Sequence, residues 1–212
     1  MRRIAEDSVE SSRIMLGLLD AVEQERAHSQ RHLASELGIA LGLVNAYLKR
    51  CMKKGLVKVR QAPARRYAYY LTPQGFAEKS RLTVEYLSFS FGFFRQAKSD
   101  CSDLFRVAKL RGVRKVLLVG HSDLAEIAAL CAIEQGVGIA GLVDETVEGA
   151  FIGAPVFKTI EDVDAAYDVA LVTDVRSAHA TTEAAIARLG LERVLVPEIL
   201  RVRIREQGGA VK

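Results

Sequence analysis

From Arg26 to Arg66 the chain carries ten lysines and arginines and a single acidic residue, Glu36. Such a run suits a polyanion, because each phosphate that a lysine or arginine neutralises releases condensed counterions. Asn45 is the residue best suited to reading a base edge, since its carboxamide pairs with both N6 and N7 of adenine. Lys49 and Arg50 suit phosphates, which position a helix without reading sequence. Arg60, Arg65 and Arg66 flank Pro63 and suit a hairpin tip that reaches a minor groove or neighbouring backbone. Ser29, Gln30, Arg31, Leu41, Gly42, Ala46 and Lys53 complete the expected surface, and double-stranded DNA is the partner it implies.

A second group lies further along: Gly120, His121, Ser122, Asp123 and Leu124, then Asp144, then Thr173, Asp174, Arg176 and Ser177. In a nucleotide-binding sheet the first strand-to-helix turn holds phosphate on glycine and free N–H groups, and a carboxylate ending the second strand takes ribose hydroxyls. Gly120 and Asp144 stand at those places. The glycine pattern is incomplete, because Ser122 and Ala125 replace the later glycines, Ser122 blocks the closest approach of a pyrophosphate, and Asp123 adds a repulsive charge at the helix start. His121 adjoins any bound phosphate or sugar, and Arg176 with Ser177 would meet an anionic group. Each residue also has a plainer reading: Ser122 and Asp123 as a helix cap, Asp144 as a strand end, His121 as a loop residue and Arg176 as a surface cation. No Tyr-x-x-x-Lys pair, Ser-His-acid set or metal-ligand spacing accompanies them, so the expectation is a sensor with no catalytic residues and no metal. Cys51, Cys101 and Cys131 are widely spaced within helical patterns and read as small buried hydrophobes.

These residues need particular elements to hold them. Ser29 caps a helix whose Leu33, Ala34 and Leu37 fall at helical spacing, and Gly38 ends it. From about Ala40 to Lys54, the residues Val44, Leu48, Cys51 and Met52 form one apolar stripe, which turns Leu41, Gly42, Asn45, Ala46 and Lys49 outward. After Gly55 the period falls to two, giving two short strands around a basic loop. Thr72 and Pro73 then open a helix through Ala77, Leu82, Tyr86 and Phe89. Phe89, Phe91, Phe93 and Phe94 carry more apolar surface than a connecting helix leaves in water, and serve either a homodimer interface or packing under the second domain. Beyond Arg114, apolar strands at 115–119, 137–143, 155–157, 168–173 and 193–196 alternate with helices, which means a parallel sheet covered on both faces. The expected fold class is α/β: a winged helix-turn-helix over 1–80, a helical linker and dimerisation segment over 81–113, and a Rossmann-like ligand-sensing domain over 114–212.

Residues 29 to 87 resemble the MarR-type winged-helix regulators found with exopolysaccharide operons, through QRHLASELGIALGLVNAYLKRCMKKGLVKV and, more specifically, YYLTPQGFAEKSRLTVEYL. That resemblance implies that the helix after the wing takes part in dimerisation. Residues 115 to 197 are similar to the small Rossmann domain that opens bacterial sugar acetyltransferases and nucleotide-sugar dehydratases of capsule pathways. Gly120, Ala125, Glu126, Gly141, Asp144, Gly153, Pro155 and Val156 match that pattern in order, with its glycine-rich turn thinned to one glycine. This second resemblance implies a nucleotide or nucleotide-sugar ligand of the UDP, GDP or CMP type.

Residues 1 to 115 carry a net charge of +11 and residues 116 to 212 one of −7, together the chain's +4. Opposite signs imply two domains with different partners. No apolar run reaches membrane-spanning length and the first residues lack a signal-peptide apolar segment, so a cytoplasmic protein with no membrane partner is expected. The combined expectation is a homodimeric transcription regulator that senses a nucleotide sugar and controls polysaccharide genes. Its alternatives are a Rex-like repressor sensing the NADH/NAD ratio and a nucleotide-sugar enzyme with an accessory basic domain.

Overall fold

The computed structural model describes residues 2–24, 29–62 and 66–201 and divides into two compact units, Met1–Phe91 and Gly92–Lys212. The first unit opens on a helix that the motif spacing above does not announce, α1 (Arg2–Glu23). Its signal is the set Met15, Leu18, Leu19, Ala21 and Val22, all buried, at the spacing that gives a helix one apolar face. The second helix, α2 (Gln30–Leu37), is capped by the Ser29 side chain, which accepts the His32 N–H at 3.1 Å, and ends at Gly38 with φ +63°. Next comes α3 (Leu41–Lys53), which buries Val44, Leu48 and Cys51 against Leu33, Leu56, Val57, Leu82 and the apolar face of α1.

Two strands follow, β1 (Val57–Ala62) and β2 (Arg66–Leu71), paired antiparallel with Val57 opposite Leu71. They form the wing. The turn 63–65, and with it Arg65, lies outside the described residues, as does the Arg66 side chain. Gln30 Nε2 donates to the Tyr69 hydroxyl at 3.3 Å and so ties the start of α2 to the wing. The wing runs into α4 (Pro73–Leu110), 38 residues long, which continues from the first unit into the second. Thr72 makes that junction: its hydroxyl donates to the Gly55 carbonyl at 2.7 Å and accepts the Gly75 N–H at 3.0 Å. Only glycine fits at position 75, where a Cβ would collide with the Leu56 carbonyl oxygen.

The second unit is built on a six-stranded sheet. Its elements after α4 are β3 (Lys115–Val119), α5 (Asp123–Gln135), β4 (Gly138–Val143), β5 (Ala150–Phe151), β6 (Ala154–Phe157), β7 (Val169–Val172), α6 (Ala178–Leu189) and β8 (Val194–Leu195). The spatial order is β5-β6-β4-β3-β7-β8. Every pairing is parallel except the edge hairpin of β5 with β6. Strands β4, β3 and β7 bury most of their side chains because both faces are covered. Val116, Leu118, Leu142 and Leu171 share a core with α5 and with Ala97, Cys101 and Phe105 of α4. On the other side Leu117, Val119, Val143 and Ala170 meet Phe157, Val163, Tyr167 and Leu189. The sequence reading merges β5 into a loop, since two residues are too short to show a period. The chain order reverses between β3 and β7, which makes that gap the switch point where open α/β sheets bind ligands.

Candidate functional site

Two surfaces collect the residues singled out by the sequence. The first is the outer face of α3. Leu41, Gly42, Ala46, Lys49 and Lys53 are exposed and Asn45 is half-buried, because the stripe Val44–Leu48–Cys51 takes the opposite side of the helix, whereas Arg50, also exposed, turns toward α1 and α4 instead. Ser29 and Arg31 are exposed beside it, and Arg60 projects from β1. Nothing lies within 4 Å of the place where the Gly42 Cβ would stand. A glycine in a helix costs about 1 kcal/mol relative to alanine, and here no neighbour within the chain requires it.

The second surface is the carboxyl edge of the sheet, where Gly120 to Leu124 follow β3, Asp144 follows β4, and Thr173 to Ser177 follow β7. The structure brings all three segments together. Gly120 has φ +97° and fits against the chain after β7, where an added Cβ would lie 2.7 Å from both the Asp174 Cα and N. The glycine of this first turn is required by the protein's own backbone. Thr173 is fully buried. Its hydroxyl donates to the Gly120 carbonyl at 2.5 Å, while Ser122 Oγ donates to the Thr173 carbonyl at 2.6 Å. Ser122 also caps α5 by accepting the Leu124 N–H at 3.1 Å, and the Leu124 side chain is sealed in the core.

The two carboxylates of this edge have partners as well. Asp144 Oδ2 accepts the His121 N–H at 2.8 Å, and its Oδ1 accepts the Thr146 N–H at 2.9 Å and the Thr146 hydroxyl at 2.6 Å. Asp174 accepts the N–H groups of Arg176 and Ser177 at 2.8 and 2.9 Å and the Thr181 hydroxyl at 2.7 Å, which places a negative charge at the start of α6. Negative charge is favoured at a helix N-terminus. His121, Asp123 and Arg176 are exposed around the edge, and the His121 ring stands edge-on to Phe151 with centroids 5.8 Å apart.

Burial acts to raise the Asp144 pKa but is outweighed by the hydrogen bonds from Thr146 and from the backbone N–H groups of His121 and Val147, so the carboxyl sits below its ordinary value. A carboxylate lowered in this way stabilises the fold above its unfolded pKa of about 4, and that contribution is lost as pH falls through the lower folded value. The expected result is an acid loss of thermal stability below about pH 4 that is smaller in Asp144→Asn, read as Tm against pH. Equal slopes in the two proteins would remove Asp144 from the acid response.

All three cysteines are free and buried. Burial pushes the Cys51 thiol up to about 11 and the Cys101 thiol up to about 12, far from the reactive thiolate range. Among the described residues no group of three or more His, Cys, Asp or Glu is arranged to hold a metal ion, and no helix is long and apolar enough to cross a membrane.

Residues 12–58 match the family described as winged helix-turn-helix DNA-binding, a stretch that runs from within α1 to the first residues of β1. A search of curated protein sequences gives no match. Among solved structures the chain is similar to human N-acetylserotonin methyltransferase in complex with SAM, at 12% identity over 92% of this chain and 79% of that one, with a TM-score of 0.35. It is also similar to NcsB1, an O-methyltransferase from neocarzinostatin biosynthesis in complex with S-adenosyl-L-homocysteine, at 14% identity over 89% and 82% of the two chains, with a TM-score of 0.29. The N-terminal region is thus a winged helix-turn-helix, followed by helix α4 and a parallel-sheet α/β unit.

Proposed function

We propose that this protein is a DNA-binding transcription regulator whose winged helix docks α3 in the major groove. The observation that carries the reading is the outer face of α3, where Lys49 and Lys53 are exposed beside Asn45 and where Gly42 is a glycine that no contact within the chain requires. A surface without side-chain bulk at the helix start lets a backbone come close, and cations on the same face neutralise phosphates. In this reading the protein acts as a homodimer. Val84, Leu87 and Phe91 are exposed at 64%, 45% and 58% and recur at the three- and four-residue spacing that lines one face of α4. The α/β unit senses rather than catalyses, with a nucleotide sugar as its ligand at the carboxyl edge. The resemblance to nucleotide-sugar domains supports that choice, and a thermal-shift comparison of UDP-, GDP- and CMP-sugars tests it.

The primary test is duplex DNA. The expected result is binding of a random duplex at low salt, with log K falling steeply and linearly against log salt at a slope of about −0.9 per phosphate neutralised. Absence of binding to any duplex at 50 mM salt would overturn the regulator reading.

A further inference from the structure

A cavity of about 310 Å³ in the N-terminal unit lies between α1, α3 and α4, away from the expected DNA-reading residues at the start of α3. Its floor is apolar, formed by Met15 and Leu82, both buried. Its walls hold three cations, Arg50, Lys54 and Arg81, one carboxylate, Glu78, and the hydroxyls of Ser11 and Ser12. Arg81 is taken up by Glu78 and by Glu85 just beyond the lining, which leaves Arg50 and Lys54 as the cations that face the cavity without a carboxylate of their own among the described residues. Glu78 is already engaged, since Arg81 grips it with two nitrogens at 2.9 and 3.0 Å. That hydrogen bonding holds the Glu78 carboxyl below its ordinary value, and Arg81 also reaches Glu85 at 2.9 Å. Ser11 accepts the Tyr47 hydroxyl at 3.0 Å, which orients its oxygen and leaves its proton to donate.

We infer that this cavity is a binding site for a phosphoryl group. Arg50 in the last turn of α3 and Lys54 at its C-cap stand four residues apart, and with the serine hydroxyls of α1 they offer charge-assisted hydrogen bonds of the kind that phosphate oxygens take. The two charges of Arg50 and Lys54 suit a phosphate monoester dianion. A purely structural cluster of this composition would balance its charges within the site, as Lys79 does nearby by pairing with Asp20 and Glu23. The phosphoryl group comes either from the DNA backbone or from a free phosphorylated metabolite, and the two sources are separable.

The test uses the full chain and inorganic phosphate as probe. The expected result is a saturable rise in Tm with phosphate over chloride at matched ionic strength, with apparent phosphate affinity about tenfold weaker in Lys54→Ala and reduced in Ser12→Ala. Neither residue belongs to the buried core, and circular dichroism confirms the fold of each variant. If DNA supplies the phosphate, the response vanishes in the DNA complex and Lys54→Ala lowers the salt slope by about one. If a metabolite supplies it, the response persists in the complex and the salt slope is unchanged. Equal Tm values in the two salts, or equal phosphate responses of wild type and both variants, would overturn the inference. A chain that binds no duplex still leaves the phosphate titration to decide it, so the two readings fail separately.

Discussion

Gly120→Ala is expected to cost about 4 kcal/mol, the sum of a left-handed backbone forced on alanine and an overpacked contact. Gly120 has φ +97°, and its missing Cβ would stand 2.7 Å from the Asp174 Cα and N. The chain after β7 cannot retreat cheaply. Thr173 N–H and Asp174 N–H both donate to the Val119 carbonyl, at 2.8 and 3.2 Å, and the Thr173 hydroxyl holds the Gly120 carbonyl from the buried side. Moving Asp174 would break these bonds and unseat the cap it places on α6. A loss of this size is a large fraction of an ordinary domain's stability. Amide hydrogen exchange would show it as loss of protection in β3 and β7. Gly149→Ala separates the two causes: its φ is +92° but nothing lies within 4 Å of the added carbon, so only the backbone strain of about 1–2 kcal/mol applies. If both substitutions cost the same, the contact with Asp174 contributes nothing.

Asn45→Ala is expected to lower affinity for a selected duplex by about 10- to 100-fold while leaving random duplex unchanged, the size of a lost bidentate base contact. Asn45 sits one turn from Leu41 and from Lys49 on the uncovered side of α3, half-buried where Lys49 is exposed. Its partner for comparison is Lys49→Ala, which should weaken selected and random duplexes alike and lower the salt slope by about one. The selected duplex comes from enrichment of a random pool on the full chain. Equal loss on both duplexes for Asn45→Ala would reassign it from base reading to backbone positioning.

Much of this molecule is written in local pattern. The cap at Ser29, the left-handed glycine at Gly38, the stripe Val44–Leu48–Cys51 and the junction at Thr72–Pro73 all appear in the structure where their spacing places them. Helix α5 begins where Ser122 and Asp123 announce a start. Such features depend on residues within a turn or two of one another, so sequence order carries them. Helix α1 shows the limit of reading by motif. Its Met15, Leu18, Leu19 and Val22 recur at helical spacing, a pattern that gives a helix without naming a role for it.

The carboxyl edge of the sheet shows the opposite case. That Gly120, Asp144 and Asp174 lie at ends of strands follows from the alternation of apolar runs and helices, and so does their convergence on one edge. What each group does there does not follow. Gly120 is needed because the chain 54 residues later passes against it, and Asp144 serves the His121 N–H 23 residues before it. The cavity between α1, α3 and α4 likewise gathers Ser12, Lys54 and Arg81 from three separate helices. The sequence by itself determined the two kinds of unit, their charges and the face of α3 that is left uncovered, since propensity, periodicity and charge are local quantities. Only the tertiary structure decided which polar groups satisfy one another, because hydrogen bonding and excluded volume act between neighbours in space whatever their distance along the chain.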